Sequence, residues 1–143
     1  MRNRLANRLA LLTLALASQA YAADPVQTAT CPAREQISQS EMAGGGFSYQ
    51  ASGPGGSSWT GENEEAKGDY LQQVAFISAT YKESTKAVIC DYEGPGDAGI
   101  RLVLKAFEGW QPGQGTDWPG NTCQNSVVGQ CAFAYSKLAA PAG

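Results

Sequence analysis

The stretch that decides the fold is residues 72–107, which read QQVAFISATYKESTKAVICDYEGPGDAGIRLVLKAF. It contains three apolar runs, Gln72–Tyr81, Lys86–Tyr92 and Ile100–Phe107. A short polar turn separates the first two runs, and a turn containing glycine and proline separates the last two. Each run has the length of a strand, and each connection has the length of a hairpin turn. The stretch therefore predicts a three-stranded antiparallel meander.

Alternation along the second and third runs indicates which side chains face the core. The apolar residues that share a face are Val88, Cys90 and Tyr92 in one run and Ile100, Leu102 and Leu104 in the other. Successive side chains of a strand point to opposite faces, so this spacing is typical of strands with one buried face.

Shorter signals on both sides of the meander predict further strands. Residues 47–51 alternate, Trp59 starts a returning strand after a glycine-rich turn, and residues 131–135 form a last strand. Residues 62–69 read as an acidic loop or a single helical turn, and residues 109–121 as a long loop. With 17 glycines and no long helical period, we expect a mostly β domain. Its single antiparallel sheet of five or six strands is expected to curl into a small sandwich or partial barrel.

The chain divides into four segments by composition. Residues 1–22 read as a signal peptide, and residues 23–45 as a polar tail with a short helical turn around 35–42. The β domain is expected over 46–136, followed by a flexible end over 137–143.

The signal-peptide prediction rests on three features of the leader. Three arginines precede an apolar run over 9–17, and Ala20-Tyr21-Ala22 is a small-residue cleavage site. The run is too short to span a bilayer, so we expect no membrane insertion after cleavage. We therefore expect a bacterial protein in the periplasm or outside the cell.

Four cysteines follow the leader, and they permit three disulfide pairings. We favour Cys31–Cys90, which ties the tail to a predicted strand, and Cys123–Cys131, which closes a local loop. An exported chain meets an oxidising environment in which such bonds persist.

Composition argues against several function classes. The chain has no histidine, which excludes the usual serine and cysteine catalytic arrangements and removes a common metal ligand. Loss of the leader's three arginines lowers the formal charge from −3 to −6. The remaining basic residues are scattered along the chain and form no continuous basic surface that could follow a phosphate backbone. Nucleic acid is therefore not expected as a partner. The cysteines lack zinc-site spacing, and residues 91–97 match a calcium loop at only two positions. We expect no metal and no cofactor.

Loop tryptophans are the best candidates for binding. Trp110 and Trp118 stand in the long loop among glycines and prolines, and Trp59 adds a third large ring. Aromatic side chains on such loops contact proteins and stack on sugars, although tryptophans also fold back to cap a core.

Carboxylates offer the alternative of catalysis. One acidic cluster comprises Glu62, Glu64, Glu65 and Asp69, and a second comprises Asp91, Glu93 and Asp97. A glycosidase needs two carboxyl groups on either side of a sugar site, although acidic loops are also ordinary solvated surface.

The spacing of cysteines and aromatic residues resembles a group of small exported bacterial proteins, the domain of unknown function number 3757. The residues that carry the resemblance are Cys31-Pro32, Ile37, Trp59, Phe76, Cys90, Tyr92, Trp110, Cys123, Cys131 and Phe133. It implies an exported protein and supplies no catalytic residues. We expect a non-enzymatic binding or inhibitory protein whose partner is a protein or glycan of the cell envelope. The alternative is a carboxylate-dependent glycan hydrolase or a carbohydrate-binding module.

Overall fold

The computed structural model describes residues 25–139, so the predicted leader and the last four residues of the chain lie outside it. The described chain is mostly β, and it contains one short α-helix, α1 (Tyr70–Gln73), and three 3-10 turns at Arg34–Gln36, Pro54–Gly56 and Val128–Cys131. The strands are β1 (Gln27–Ala29), β2 (Ser38–Glu41), β3 (Phe47–Ser52), β4 (Ser58–Asn63), β5 (Ala75–Lys82), β6 (Ala87–Glu93), β7 (Gly99–Leu104), β8 (Phe107–Glu108), β9 (Gln111–Pro112), β10 (Thr122–Gln124), β11 (Phe133–Tyr135) and β12 (Lys137–Leu138).

The strands form three antiparallel sheets, which are not closed into a barrel. The largest has seven strands in the order β10-β5-β6-β7-β4-β3-β2. A three-stranded sheet has the order β1-β11-β9, and β12 pairs with β8. The strands outnumber the five or six expected because several have only two or three residues, too few to show alternation.

The meander predicted within residues 72–107 is confirmed as β5, β6 and β7, which pair in sequence order. Its third strand ends at Leu104, whereas the prediction extended it to Phe107, which instead belongs to β8. The first of these strands begins at Ala75, because the preceding four residues form α1. A β-bulge interrupts the β5–β6 register between Phe76 and Ser78. The faces assigned by alternation are also confirmed, since all six predicted core residues of β6 and β7 are buried.

One face of the seven-stranded sheet is covered, and the core lies there. Phe107 is fully buried, and its ring contacts Trp59 of β4 at a centroid distance of 6.2 Å. The same ring meets Phe133 and Tyr135 of the small sheet edge-on, each at 5.0 Å. Phe107 therefore joins the small sheet to the large one.

The N-terminal part of the domain is more ordered than the predicted tail. A helical turn forms only over Arg34–Gln36, so the helical prediction for residues 35–42 is wrong over most of its length. Residues 38–41 instead extend the large sheet as β2, because the Met42–Gly46 turn returns the chain along β3. The C-terminal end likewise starts with a strand, since Lys137 and Leu138 pair with β8.

Both favoured disulfides are present, and all four cysteines are fully buried. Cys31–Cys90 fixes the N-terminal segment to the middle of the large sheet. Beside it, the hydroxyl of Tyr92 donates a hydrogen bond of 2.5 Å to the carbonyl oxygen of Pro32. Cys123–Cys131 ties edge strand β10 to the turn before β11. Disulfides of this kind indicate folding in an oxidising compartment.

Candidate functional site

The second face of the seven-stranded sheet, here called the outer face, carries no buried side chain in its two central rows. Each row takes one residue from every strand and follows the pairing register, which is extended by two residues from the Thr60–Val103 pair to place Glu62 beside Arg101. The first row is Ser38, Gln50, Thr60, Val103, Ile89, Thr80 and Thr122. The second row is Ser40, Ser48, Glu62, Arg101, Asp91, Ser78 and Gln124. Nine of the fourteen side chains end in a hydroxyl or amide, so the face is polar but largely uncharged.

Three charged side chains occupy the middle of the second row. The guanidinium of Arg101 donates to both carboxylate oxygens of Asp91, from Nε at 2.7 Å and from a terminal nitrogen at 3.2 Å. This contact raises the pKa of Arg101 above its usual value. Glu62 of β4 lies on the side of Arg101 opposite Asp91, because it is two residues along the strand from Thr60, which pairs with Val103.

Two adjoining depressions lie on the outer face and meet at Glu62. The larger, of about 320 Å³, lies over β4, β6 and β7 and includes Arg101 and Glu93 in its wall. The smaller, of about 270 Å³, lies over β3 and β4 and includes Ser48 and Thr60. Both are open to solvent, and together they form a shallow groove whose lining can donate and accept hydrogen bonds.

Close approach of two strands shapes the groove at its centre. A side chain at Gly61 would place its Cβ 1.9 Å from the carbonyl oxygen of Arg101. Only glycine permits this contact, so β4 and β7 come together at the point where the two depressions meet.

The three tryptophans named as binding candidates differ in exposure. Trp59 is 1% exposed, so its ring offers no face to a ligand. Trp118 is also buried, and its Nε1 donates to the carbonyl oxygen of Ala132 at 3.0 Å. Trp110 is only partly buried, and it packs against the core.

Trp110 and Trp118 come together with a tyrosine of β5. The ring of Trp110 stacks on Tyr81 at 4.3 Å with an interplanar angle of 5°, and it meets Trp118 edge-on at 4.9 Å. Its Nε1 is buried and has no hydrogen-bond partner among the described residues. The tryptophans of the long loop therefore contact each other and the sheet.

The two acidic clusters of the sequence are partly brought together. Glu62 of the first cluster and Asp91 and Glu93 of the second line the same depression. Asp97 instead accepts a hydrogen bond from the hydroxyl of Tyr70, which lowers the pKa of the carboxyl and raises that of the phenol to about 12. A lowered pKa keeps Asp97 ionised to lower pH than an ordinary aspartate, so it is less suited to act as a general acid.

The outer-face rows were not among the predicted site residues. Their signal in the sequence is polar alternation, as in Ser38-x-Ser40, Ser48-x-Gln50-x-Ser52 and Ser58-x-Thr60. This pattern identifies an exposed strand face, but the order of the strands is needed to align the rows.

Two further findings bear on the kind of site. Among residues 25–139, no group of three or more acidic or cysteine side chains is placed to hold a metal ion. Over the same residues, no helix has the length and apolar character needed to cross a membrane.

Comparisons with protein-family models, with curated proteins and with solved structures found no match to this chain. The resemblance to domain of unknown function 3757 therefore stays a prediction.

Proposed function

We propose that this chain is an exported, non-enzymatic binding protein that works in the periplasm or outside the cell and binds its partner through the outer face. The observation that carries the proposal is the uncovered groove around Glu62, where hydroxyl, amide and charged groups line two adjoining depressions. The two buried disulfides support export, because such bonds persist in oxidising compartments. The partner is a protein or glycan of the cell envelope.

A blocking substitution tests the proposal directly. Arginine in place of Thr60 fills the smaller depression, and arginine in place of Thr28, an exposed threonine of β1, is the matched control. Each purified protein is immobilised and exposed to the envelope and secreted fractions of the producing cell, and the retained protein and sugar are measured. We expect Thr60→Arg to reduce retention at least tenfold and Thr28→Arg to leave it unchanged.

The loop tryptophans supply the competing surface in the same experiment. Trp110→Phe removes the indole edge and keeps an aromatic ring stacked on Tyr81. If this variant loses retention while Thr60→Arg does not, the proposed surface is wrong and the aromatic cluster carries the binding. If all variants retain the same material as the wild type, neither the outer face nor the aromatic cluster around Trp110 is the binding surface.

A glycan hydrolase is the second candidate, and one observation favours it. Carboxyl groups from sequence-distant clusters, Glu62 and Glu93, line one depression. Asp91 is already paired with Arg101, so these two are the available pair. Release of reducing ends from envelope polysaccharides by the wild type, lost in Glu62→Gln, would favour this candidate over simple binding.

A further inference from the structure

We infer that the ligand of the outer face is an extended, uncharged glycan chain that lies across the strands along the two rows. The inference rests on the proposed binding function and adds the chemical class of the ligand.

The dimensions of the rows match such a chain. Neighbouring strands lie about 4.8 Å apart, so a row across seven strands spans about 29 Å. One pyranose unit of an extended β-linked chain has a length of the same order as the spacing between strands, about 4.8 Å. Successive sugars of one chain therefore meet successive strands, and about five or six units cover the row.

The chemistry of the rows also matches a sugar, which has polar edges and apolar C–H faces. Val103 and Ile89 are half-buried neighbours at the centre of the first row, and they offer an apolar patch for a ring face. Beside them, Arg101 donates hydrogen bonds, while Glu62 accepts them. Apart from Asp91, the remaining positions of both rows carry hydroxyl or amide groups, and these pair with sugar hydroxyls without requiring a charged ligand.

Charge and strand geometry argue against other ligands. The central Glu62–Arg101–Asp91 trio leaves one net negative charge, and Glu93 adds another, so anionic polymers are repelled. A peptide bound by strand addition would need a free sheet edge, and edge strand β2 has only four residues. Short edge strands are poor templates for pairing.

Binding of oligosaccharides of increasing length tests the inference. The probes are β-1,4-linked glucose and N-acetylglucosamine oligomers of two, four and six units, with a hexameric polyuronic acid as the anionic probe. Calorimetry is run on the wild type, Thr60→Arg and Thr28→Arg, after thermal melting has shown that both variants fold. We expect a neutral hexamer to bind at least tenfold more tightly than its dimer, and Thr60→Arg to lose this affinity.

The outcomes separate the two proposals. If no neutral hexamer binds more tightly than its dimer, while Thr60→Arg still loses the retained envelope material, the glycan inference is overturned and the binding function stands. If Thr60→Arg changes neither measurement, both fail. Equal binding of the anionic hexamer would also overturn the inference, because it would show that charge does not discriminate at this face.

Discussion

Removing each disulfide separately should destabilise the domain by amounts set by the length of the loop that it closes. Cys31 and Cys90 are 59 residues apart in the sequence, whereas Cys123 and Cys131 are 8 apart. In the chain-entropy model, the long loop contributes about 4 kcal/mol to the free energy of unfolding and the short loop about 2.5 kcal/mol. The expected difference is therefore roughly 1.5 kcal/mol.

The structure makes this comparison a matched one. All four cysteines are fully buried, so replacing either pair with alanine removes two buried sulfur atoms and leaves comparable packing defects. The packing losses largely cancel when the two variants are compared, so the difference in their stability reports the loop-closure entropy that each disulfide removes from the unfolded chain.

Urea unfolding of the two double variants, monitored by tryptophan fluorescence, measures the difference. With a slope of about 1.5 kcal/mol/M, the midpoint of Cys31→Ala/Cys90→Ala should lie roughly 1 M below that of Cys123→Ala/Cys131→Ala. Should the first variant be unfolded in buffer alone, sulfate added equally to both restores a measurable transition. Equal midpoints, or the reverse order, would refute the argument from loop length.

Three further substitutions test the packing. Gly61→Ala should lower the free energy of unfolding by at least about 2 kcal/mol, because the alanine Cβ has no space between β4 and β7. Gly44→Ala, at an open turn, should change the urea midpoint little. Trp118→Phe should cost about 1 kcal/mol more than Trp110→Phe in the same assay, because only the first loses an indole hydrogen bond. Tyr92→Phe should cost about 1–3 kcal/mol at neutral pH, since a buried carbonyl loses its donor. Burial raises the pKa of this phenol above 10.0, so ionisation favours the unfolded state once the pH rises above 10. In thermal melts, the extra stability of the wild type over Tyr92→Phe should therefore shrink above pH 10. A stability difference that stays constant with pH would contradict this.

The parts of the fold that could be predicted from the sequence are those with clean alternation. Over residues 88–92 and 100–104, buried residues alternate with more exposed ones, and the buried faces are those that the sequence predicts. Strands of two or three residues, such as Gln111–Pro112, have no periodic signal, and they form because Phe107 and Phe133 bring the small sheet onto the core. Long-range packing, which no local pattern encodes, therefore creates them.

The candidate site was harder to predict for a different reason. Large aromatic residues attract attention in a sequence, but their size also favours burial, and Trp59 and Trp118 lie in the core. Serine and threonine on exposed strands look ordinary one at a time. They become a candidate surface only when the register aligns them across seven strands.

The bulge in β5 shows how local irregularity completes this alignment. Phe76 is buried, so strict alternation would bury Ser78 and Thr80 and expose Ala79. The extra residue at Ile77 reverses the phase, so that Ala79 is buried while Ser78 and Thr80 pair with Asp91 and Ile89 on the outer face. In the sequence, this phase change appears only as two adjacent large apolar residues, a pattern that a buried strand would also produce. Because both rows pass through β5, their continuity from β6 to edge strand β10 depends on that single inserted residue.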